Sequence, residues 1–452
     1  MLRNLQKTKS RLPFTSSKAG LTTSTRRVRC AQATFIDDAT TGMNPAFITN
    51  KQYSVLPTTY WKDIITNKNS IIKPFVPQET LTEKSMSNSY FEEYLPFKSN
   101  PALLEDYITT NGKIRVGRIL EELDSAAGII GCKHANISTD SIHSLVVTAG
   151  VDRTKINMPN TVEDLKISGN VASVGSSAME VILNVEAVSP RNQVGADSSS
   201  NKIVSPTANS IMTAKFTMVL VDPKTNKGRP TFPLKIRNEQ ERKLMEYAVT
   251  RKAQAKSFNQ SLISKVPPTL EERQVLHDLF VEYPDQDKPI DSKNAVWVND
   301  TSLDSVVIVQ PQNRNIYGKA FGGYLMRSAF ELAQASGQLF AQSDIKLSSF
   351  DDVVFKNPVE LGSLLKMKSQ VVRSGGSNND MFQVRVLTET VDMKKGFTSE
   401  ANAYCFTFKS NKQLRKVVPK TYAESMSFIE AGRRLTDVEN ASECLMKLTC
   451  KN

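Results

Sequence analysis

The sequence predicts an α+β fold in two tandem copies, and three observations lead to this class. The chain has 452 residues, more than one domain usually holds, so two or three domains are expected. Three sequence blocks recur in the same order at an offset of roughly 190–205 residues, which indicates an internal duplication. In each copy one amphipathic helix precedes consecutive strands, with no helix returning between the strands as a parallel sheet would need.

The duplication rests on three pairs of similar segments. Each copy contains a glycine turn, a helix with apolar residues on one face, and then strands with alternating polarity. The pairs are Gly117–Gly128 with Gly323–Gln334, Leu165–Val185 with Leu365–Val386, and Thr213–Asp222 with Ala401–Ser410.

The net charge of +12 is concentrated at the start of the chain. Residues 1–30 hold eight basic side chains and no acid, since the first acid is Asp37, and they are rich in Ser and Thr. This composition is typical of an organellar transit peptide and favours mitochondria; a disordered basic tail is the alternative. The remainder carries 50 basic and 46 acidic residues, so it is near neutral and gives no support for nucleic acid binding.

No apolar run approaches the length of a membrane-spanning helix, and five scattered cysteines exclude a disulfide framework.

The sequence suggests six segments. The expected segments are a transit peptide (1–30), an N-terminal extension (31–86), a first domain (87–237), a helical linker (238–293), a second domain (294–418) and a C-terminal tail (419–452).

The motifs of several common enzyme classes are absent from the sequence. It has no GxSxG elbow, no GxxxxGK[ST] and no GxGxxG, which argues against the nucleophilic serine of an α/β-hydrolase and against the phosphate-binding loops of nucleotide-binding proteins. Its three histidines form neither HExxH nor a cluster with cysteines, so no metal site is expected.

What remains is an amide beside a glycine-started helix. In NRNIYGKAFGGYLM, Asn315 precedes Gly318 by three residues, and Gly322 and Gly323 then open a helix. Glycines let a carbonyl approach the backbone N–H groups, and the positive helix end favours developing negative charge. This combination suits an oxyanion hole for acyl transfer, although a glycine pair there also serves close packing.

These residues carry a family resemblance. The motif NxxGxxFGGxLM, followed by FKNPVELGSLL from Phe355, resembles the hotdog-fold acyl-CoA thioesterases. In the first copy SNSYFEEYLP and GKIRVGRILEELDS are similar to mitochondrial members, and PKTYAESM near the C-terminus is similar too. The resemblance runs from about Ser87 to Met426. It implies two tandem hotdog folds, each a long helix wrapped by an antiparallel sheet, and hydrolysis of acyl-CoA to free fatty acid and CoA.

The resemblance also implies an acid seven residues after the last glycine that opens the helix. That position is Asp124 in the first copy and Phe330 in the second, where Glu331 is only adjacent. One composite site of Asp124, Asn315, Gly322 and Gly323 is therefore expected, with the pseudo-symmetric site inactive. Asp124 would be general base or nucleophile; alternatively it is a solvated acid or pairs with Arg115 or Arg118.

The family analogy extends to the CoA moiety, to assembly and to location. It implies no cofactor, association of tandem chains into trimer-like homo-oligomers, and residence in the mitochondrial matrix. The residues expected to contact CoA are Gly175, Ser176, Ser177, Lys319, Lys356 and Arg373.

Two rivals remain open. A hotdog enoyl-CoA hydratase would need an Asp-x-Asn-x-x-His string, which the sequence lacks. A catalytically decayed hotdog scaffold recruited to a mitochondrial complex is the alternative from another class, favoured by Phe330 and by the tail after Arg433.

Overall fold

The computed structural model describes residues 81–137, 144–188, 202–204, 206, 209–284, 290, 293–315, 317–351, 353–375 and 379–449, with side chains as far as residue 436. The predicted transit peptide and nearly all of the predicted N-terminal extension lie outside this range.

The first copy surrounds one long helix with a twisted antiparallel sheet. A short 3-10 helix precedes its second strand, and two further helices follow its last strand. Its elements are β1 (Lys84–Ser85), β2 (Phe91–Leu95), α1 (Pro101–Glu105), α2 (Val116–His134), β3 (Leu145–Val151), β4 (Thr154–Lys155), β5 (Asp164–Val174), β6 (Ala178–Val188), β7 (Ser210–Val221), β8 (Leu234–Lys235), α3 (Glu239–Gln260) and α4 (Leu270–Glu282).

The second copy repeats this order and ends in one long helix. Its elements are β9 (Ala295–Trp297), β10 (Leu303–Ile308), α5 (Gly322–Ala341), β11 (Ile345–Phe350), β12 (Val353–Val354), β13 (Leu364–Gly375), β14 (Met381–Asp392), β15 (Phe397–Ser410), β16 (Lys416–Val418) and α6 (Tyr422–Thr449).

Each copy contributes one short strand to the sheet of the other. The two six-stranded sheets have the orders β12-β3-β7-β6-β5-β2 and β10-β13-β14-β15-β11-β4, and all their neighbouring strands are antiparallel. Strand β12 thus pairs with β3 of the first copy, and β4 pairs with β11 of the second. The α+β class and the tandem hotdog architecture predicted from the sequence are confirmed.

The two long helices form the centre of the molecule. Of the 19 residues of α2, 16 are buried, because the helix is enclosed by its own sheet and by α5. A side chain at Gly117 would meet Arg327 and Phe330 of α5, and one at Gly323 would meet Glu121 of α2. The start of each helix therefore lies against the middle of the other, as an approximate twofold relation between the copies requires. A helix enclosed in this way must find internal partners for its polar side chains.

Helices α3 and α6 cover the outer faces of the two sheets. Leu244 and Ala248 of α3 pack with Met86 and Ile182 on the first sheet. Phe428 of α6 packs against the guanidinium of Arg373 on β13, and its neighbours pack against α4. The predicted linker 238–293 thus contains α3 and α4, and the predicted tail contains α6.

Candidate active site

Asp124 lies at the centre of the contact between the two copies. Its side chain is 2% exposed on α2. Oδ1 accepts a hydrogen bond from Thr148 Oγ1 at 2.7 Å, and Oδ2 accepts one from the Gly323 backbone N–H at 2.6 Å. The acid of the first copy is therefore bound directly to the glycine-started helix of the second. The alternative salt bridges are not formed, since Arg115 pairs with Glu331 and Arg118 with Glu121.

The surroundings of Asp124 place its titration close to neutral pH. Burial raises the pKa of Asp124 to about 6, and the negative charge of Glu121 adds to the rise. The hydrogen bonds from Thr148 and Gly323 act in the opposite direction, because they stabilise the carboxylate. A carboxyl group with a pKa near the working pH can accept and release a proton efficiently, as general-base catalysis needs.

Gly322 and Gly323 are required by the close approach of the two helices. A Cβ on Gly322 would lie 2.9 Å from Asp124 Oδ2 and 3.3 Å from the ring of Phe355. A Cβ on Gly323 would lie 2.7 Å from the Phe321 ring and 3.0 Å from the Glu121 backbone. The helix start has no side-chain cap from Phe321, so its positive end faces the carboxylate directly. Both glycines thus serve packing and the site together.

Asn315 organises the turn that leads into α5. Its Oδ1 accepts hydrogen bonds from the backbone N–H groups of Tyr317 at 2.9 Å and Lys319 at 3.1 Å, and Gly318 adopts a φ of 72°. Among the described residues no hydrogen bond joins Asn315 to Asp124. The amide oxygen is therefore engaged in its own turn, and only the amide nitrogen is left for a ligand.

Sequence reasoning missed two residues of this cleft. Thr148 on β3 donates to Asp124, and the Tyr317 hydroxyl accepts from Val146 N–H at 2.7 Å and donates to Val146 O at 3.1 Å. Tyr317 thus fastens the turn of the second copy to a strand of the first. An alignment of the two copies could have singled out Thr148, because Leu347 occupies its position in the second copy.

The equivalent position in the other half-site is apolar. Phe330 is 2% exposed and contacts the rings of Phe406 and Phe408 at centroid distances of 5.6 and 6.2 Å. Its neighbour Glu331 lies at the surface, where Oε1 accepts from Arg115 Nη2 at 2.7 Å. The ring of Phe330 lies against the start of α2, as the carboxylate of Asp124 lies against the start of α5. We call these two regions the Asp124 half-site and the Phe330 half-site.

The residues predicted to contact CoA do not lie together. Residues 175–177 form the β5–β6 turn, in which the carbonyl oxygens of Ser176 and Ser177 accept from the Thr231 and Leu220 N–H groups.

The predicted basic residues likewise lie apart. Lys319 pairs with Glu360, and Lys356 Nζ lies 3.8 Å from Glu400. Arg373 lies beneath α6, where Nη1 donates to Phe428 O at 3.2 Å and burial lowers its pKa. No hydrogen bond or ion pair described for these residues reaches Asp124.

The arrangement can activate a water molecule beside a positively polarised helix start. Within the described parts of the chain, no group of three or more His, Cys, Asp or Glu residues could hold a metal ion. None of the described helices is long and apolar enough to span a membrane.

Comparison with known proteins gives a consistent set of relatives. No protein-family model matches the chain. The mitochondrial acyl-coenzyme A thioesterase 9 of Bos taurus is 34% identical over 391 residues, covering 83% of this chain and 85% of that protein. The Homo sapiens thioesterase of the same name is 34% identical over 398 residues, covering 84% and 85%. The chloroplastic acyl-coenzyme A thioesterase 2 of Humulus lupulus is 30% identical over 376 residues, covering 78% and 82%.

Two solved structures are also similar. The Staphylococcus aureus acyl-CoA hydrolase in complex with butyryl coenzyme A, coenzyme A and coenzyme A disulfide is 21% identical, with 34% of this chain and 98% of that chain covered and a TM-score of 0.31. The 12:0-ACP thioesterase of Umbellularia californica is 12% identical, with 72% and 95% covered and a TM-score of 0.41.

Proposed function

The chain belongs to the acyl-coenzyme A thioesterase family, and from this premise we propose that it hydrolyses acyl-CoA at one composite site, the Asp124 half-site. The reaction converts acyl-CoA and water into a fatty acid and free CoA. The observation that carries the proposal is the hydrogen bond from Gly323 N–H to the buried Asp124 carboxylate, which joins a base of one copy to a helix start of the other.

Asp124 acts as the general base in this mechanism. Its carboxylate accepts a proton from water while the water oxygen forms a bond to the thioester carbonyl carbon. The tetrahedral intermediate then collapses, the C–S bond breaks, and the CoA sulfur takes up the proton from Asp124. Thr148 and Gly323 hold the two carboxylate oxygens, so the base needs no reorientation before it reacts.

The developing oxyanion is stabilised by groups of the second copy. Gly323 N–H is bound to Asp124, so Gly322 N–H at the first helical position is the oxyanion donor. The Asn315 amide nitrogen is the second donor, because the amide oxygen is held by its turn. We propose that no cofactor is needed, since these residues supply both the base and the oxyanion donors.

The single and double variants of Asp124 and Asn315 test this site. Asp124→Asn keeps size and removes the base, so kcat should fall by roughly 10²-fold or more. Asn315→Ala should also lower kcat with less change in KM, and the double variant should be only slightly worse than the poorer single variant, because both residues serve one step. Free CoA is measured with a thiol reagent, with thermal melts as the folding control.

The outcomes separate the alternatives. Hydrolysis by Asp124→Asn at the wild-type rate contradicts the site assignment. If the wild-type chain releases no CoA from acyl-CoA substrates of any tested chain length, the result would instead support the catalytically decayed scaffold.

The bovine and human relatives are named mitochondrial, and this chain is mitochondrial too. We propose the matrix as its compartment, supported by the basic, acid-free composition of residues 1–30. A chain that lacks these residues should remain in the cytosol, and its import into isolated mitochondria would contradict the proposal.

We propose that tandem chains associate as trimers. Val306 and Ile308 on β10, at the edge of the second sheet, are 58% and 42% exposed, and an exposed apolar sheet edge favours association. Light scattering should give three chains per particle, and fewer for Val306→Lys with Ile308→Lys. A monomeric wild-type chain would contradict this assembly.

A further inference from the structure

The Phe330 half-site contains a cavity of about 80 Å³. It lies between the turn that precedes α2 and strand β11, at the position that corresponds to the catalytic cleft. Its walls combine apolar, amide and charged side chains, which include Ile114, Phe330, Gln334, Leu347, Phe408 and Asp344.

The backbone of this half-site matches the catalytic one. Thr109 takes the place of Asn315, since Thr109 N–H donates to Lys113 O at 2.8 Å and Thr109 Oγ1 accepts from Lys113 N–H at 3.1 Å. Gly112 has a φ of 75°, against 72° for Gly318. The turn that leads toward the long helix has therefore been kept in both copies.

The catalytic side chains have been replaced by apolar ones. Phe330 stands where Asp124 stands, seven residues after the glycine that opens its helix. Leu347 stands where Thr148 stands, because each is the last residue before the bulge in its strand and pairs with the equivalent strand of its own sheet. A thioester in this half-site would meet no carboxylate at the position equivalent to Asp124.

One further difference explains the open space. At the Asp124 half-site the hydroxyl of Tyr317 is hydrogen-bonded to both backbone groups of Val146. The equivalent residue of the other half-site is Asn111, an exposed and much shorter side chain. The cavity is the space that Asn111 leaves where a tyrosine would fill it.

We propose that the Phe330 half-site is a second, non-hydrolysing binding site for acyl-CoA, with the acyl chain in the cavity. This inference rests on the proposed function, because it assumes that the equivalent cleft receives the same thioester. Phe330, Leu347 and Phe408 offer an apolar wall to the chain, and burial of each methylene contributes favourably. Gln334 offers an amide that can hydrogen-bond to the amide groups of pantetheine.

The proposal is tested by counting bound ligand on the full chain. Butyryl-CoA, whose short acyl chain suits a cavity of about 80 Å³, is titrated calorimetrically against Asp124→Asn, in which hydrolysis is slowed, and against the same chain with Asn111→Tyr or Asn111→Ser. Asn111→Tyr introduces the ring of the other half-site and should remove one bound butyryl-CoA per chain. Asn111→Ser keeps the space and should leave the number unchanged. Equal numbers with Tyr and Ser overturn the proposal.

Two further arms identify the ligand. Butyrate and CoA are titrated separately: butyrate that occupies the Asn111-dependent site supports recognition of the acyl chain, whereas CoA alone filling it as tightly as butyryl-CoA overturns that recognition. An acyl-CoA with a diazirine on the chain should label residues 344–347 of the wild-type chain, which needs no cavity variant to fold. Labelling confined to residues 144–148 overturns the second site, while CoA release by the wild-type chain reports separately on the proposed function.

Discussion

At the Asp124 half-site a buried carboxylate is held by Thr148 and by the start of the opposite helix, whereas at the Phe330 half-site an aromatic ring and Leu347 take the same positions. The backbone turns before the two helices are alike, so the difference lies in side chains. A buried carboxyl group costs stability, because ionisation must occur without water. Phe330, stacked on Phe406 and Phe408, avoids that cost. Duplication allows one half-site to keep the costly acid while the other stabilises the fold.

Gly322→Ala should have the largest effect on this contrast. The added Cβ would lie 2.9 Å from Asp124 Oδ2, so the carboxylate must move away from the helix start. We expect kcat to fall by roughly 10²-fold, similar to the loss of an oxyanion donor. Gly375→Ala is the matched control, since a Cβ there has nothing within 4 Å, and its kcat should change by less than about twofold because the added methyl group displaces no neighbour. Equal rates for the two variants would contradict the close packing of Asp124 on Gly322.

Thr148→Val places an apolar side chain in the Asp124 half-site, where the equivalent residue of the Phe330 half-site is Leu347. It removes a hydrogen bond to a charged group, so kcat/KM at pH 7 should fall about tenfold. This bond lowers the pKa of Asp124, and its loss should move the acid limb of the pH profile upward from about 6. Because the base works in its ionised form, part of the loss should be recovered at pH 8.5. The exposed Thr398→Val is the control. A parallel pH profile at lower rate would limit Thr148 to a packing role.

Tyr317→Asn gives the catalytic cleft the side chain of the other half-site. The ring is then absent from the space beside Val146, so longer acyl chains should gain buried contacts. Each additional methylene should improve relative kcat/KM by about fourfold, the value of one buried methylene group. Hydrolysis of butyryl-, hexanoyl- and octanoyl-CoA measures the trend. Tyr317→Phe keeps the ring and should keep the wild-type order; an unchanged order in both variants would remove Tyr317 from chain-length selection.

Glu331→Gln should have the smallest effect. Its carboxylate pairs with Arg115 at the surface, and Phe330 occupies the position equivalent to the acid. An exposed ion pair contributes little, so turnover should change by less than about twofold and the free energy of unfolding by less than about 1 kcal/mol. Steady-state kinetics of Glu331→Gln and Asp124→Asn, measured side by side, provide the comparison. Losses of similar size in the two variants would mean that both half-sites hydrolyse the thioester.

The sequence predicts those features of the fold and the site that depend on the spacing of residues along one helix. The duplication, the two long helices and the family resemblance were predicted and are confirmed, and the acid was expected seven residues after Gly117. The hydrogen bond from Thr148 was not foreseen, because it joins a strand and a helix through the tertiary fold. The contact of Tyr317 with Val146 spans 171 residues, and no local pattern encodes it. The site roles themselves stay predictions until the variants are measured.

One turn was overlooked for a chemical reason. The first copy has no Asn-x-x-Gly string before α2, yet Thr109-x-x-Gly112 forms the same turn. A threonine hydroxyl can accept from the backbone N–H as an asparagine oxygen does. Patterns written in residue identities therefore miss equivalents that are defined by hydrogen-bond capacity.

The exchange of β4 and β12 between the sheets has a consequence for how the chain can be divided. Each sheet completes its edge with a strand from the other half, so neither half presents a finished edge alone. A protease cut in the connection between β8 and β9 would break the covalent link but not the interlocked pairing. The two fragments should then copurify as a complementing pair, and separate expression should yield edge-exposed, aggregation-prone pieces until they are mixed.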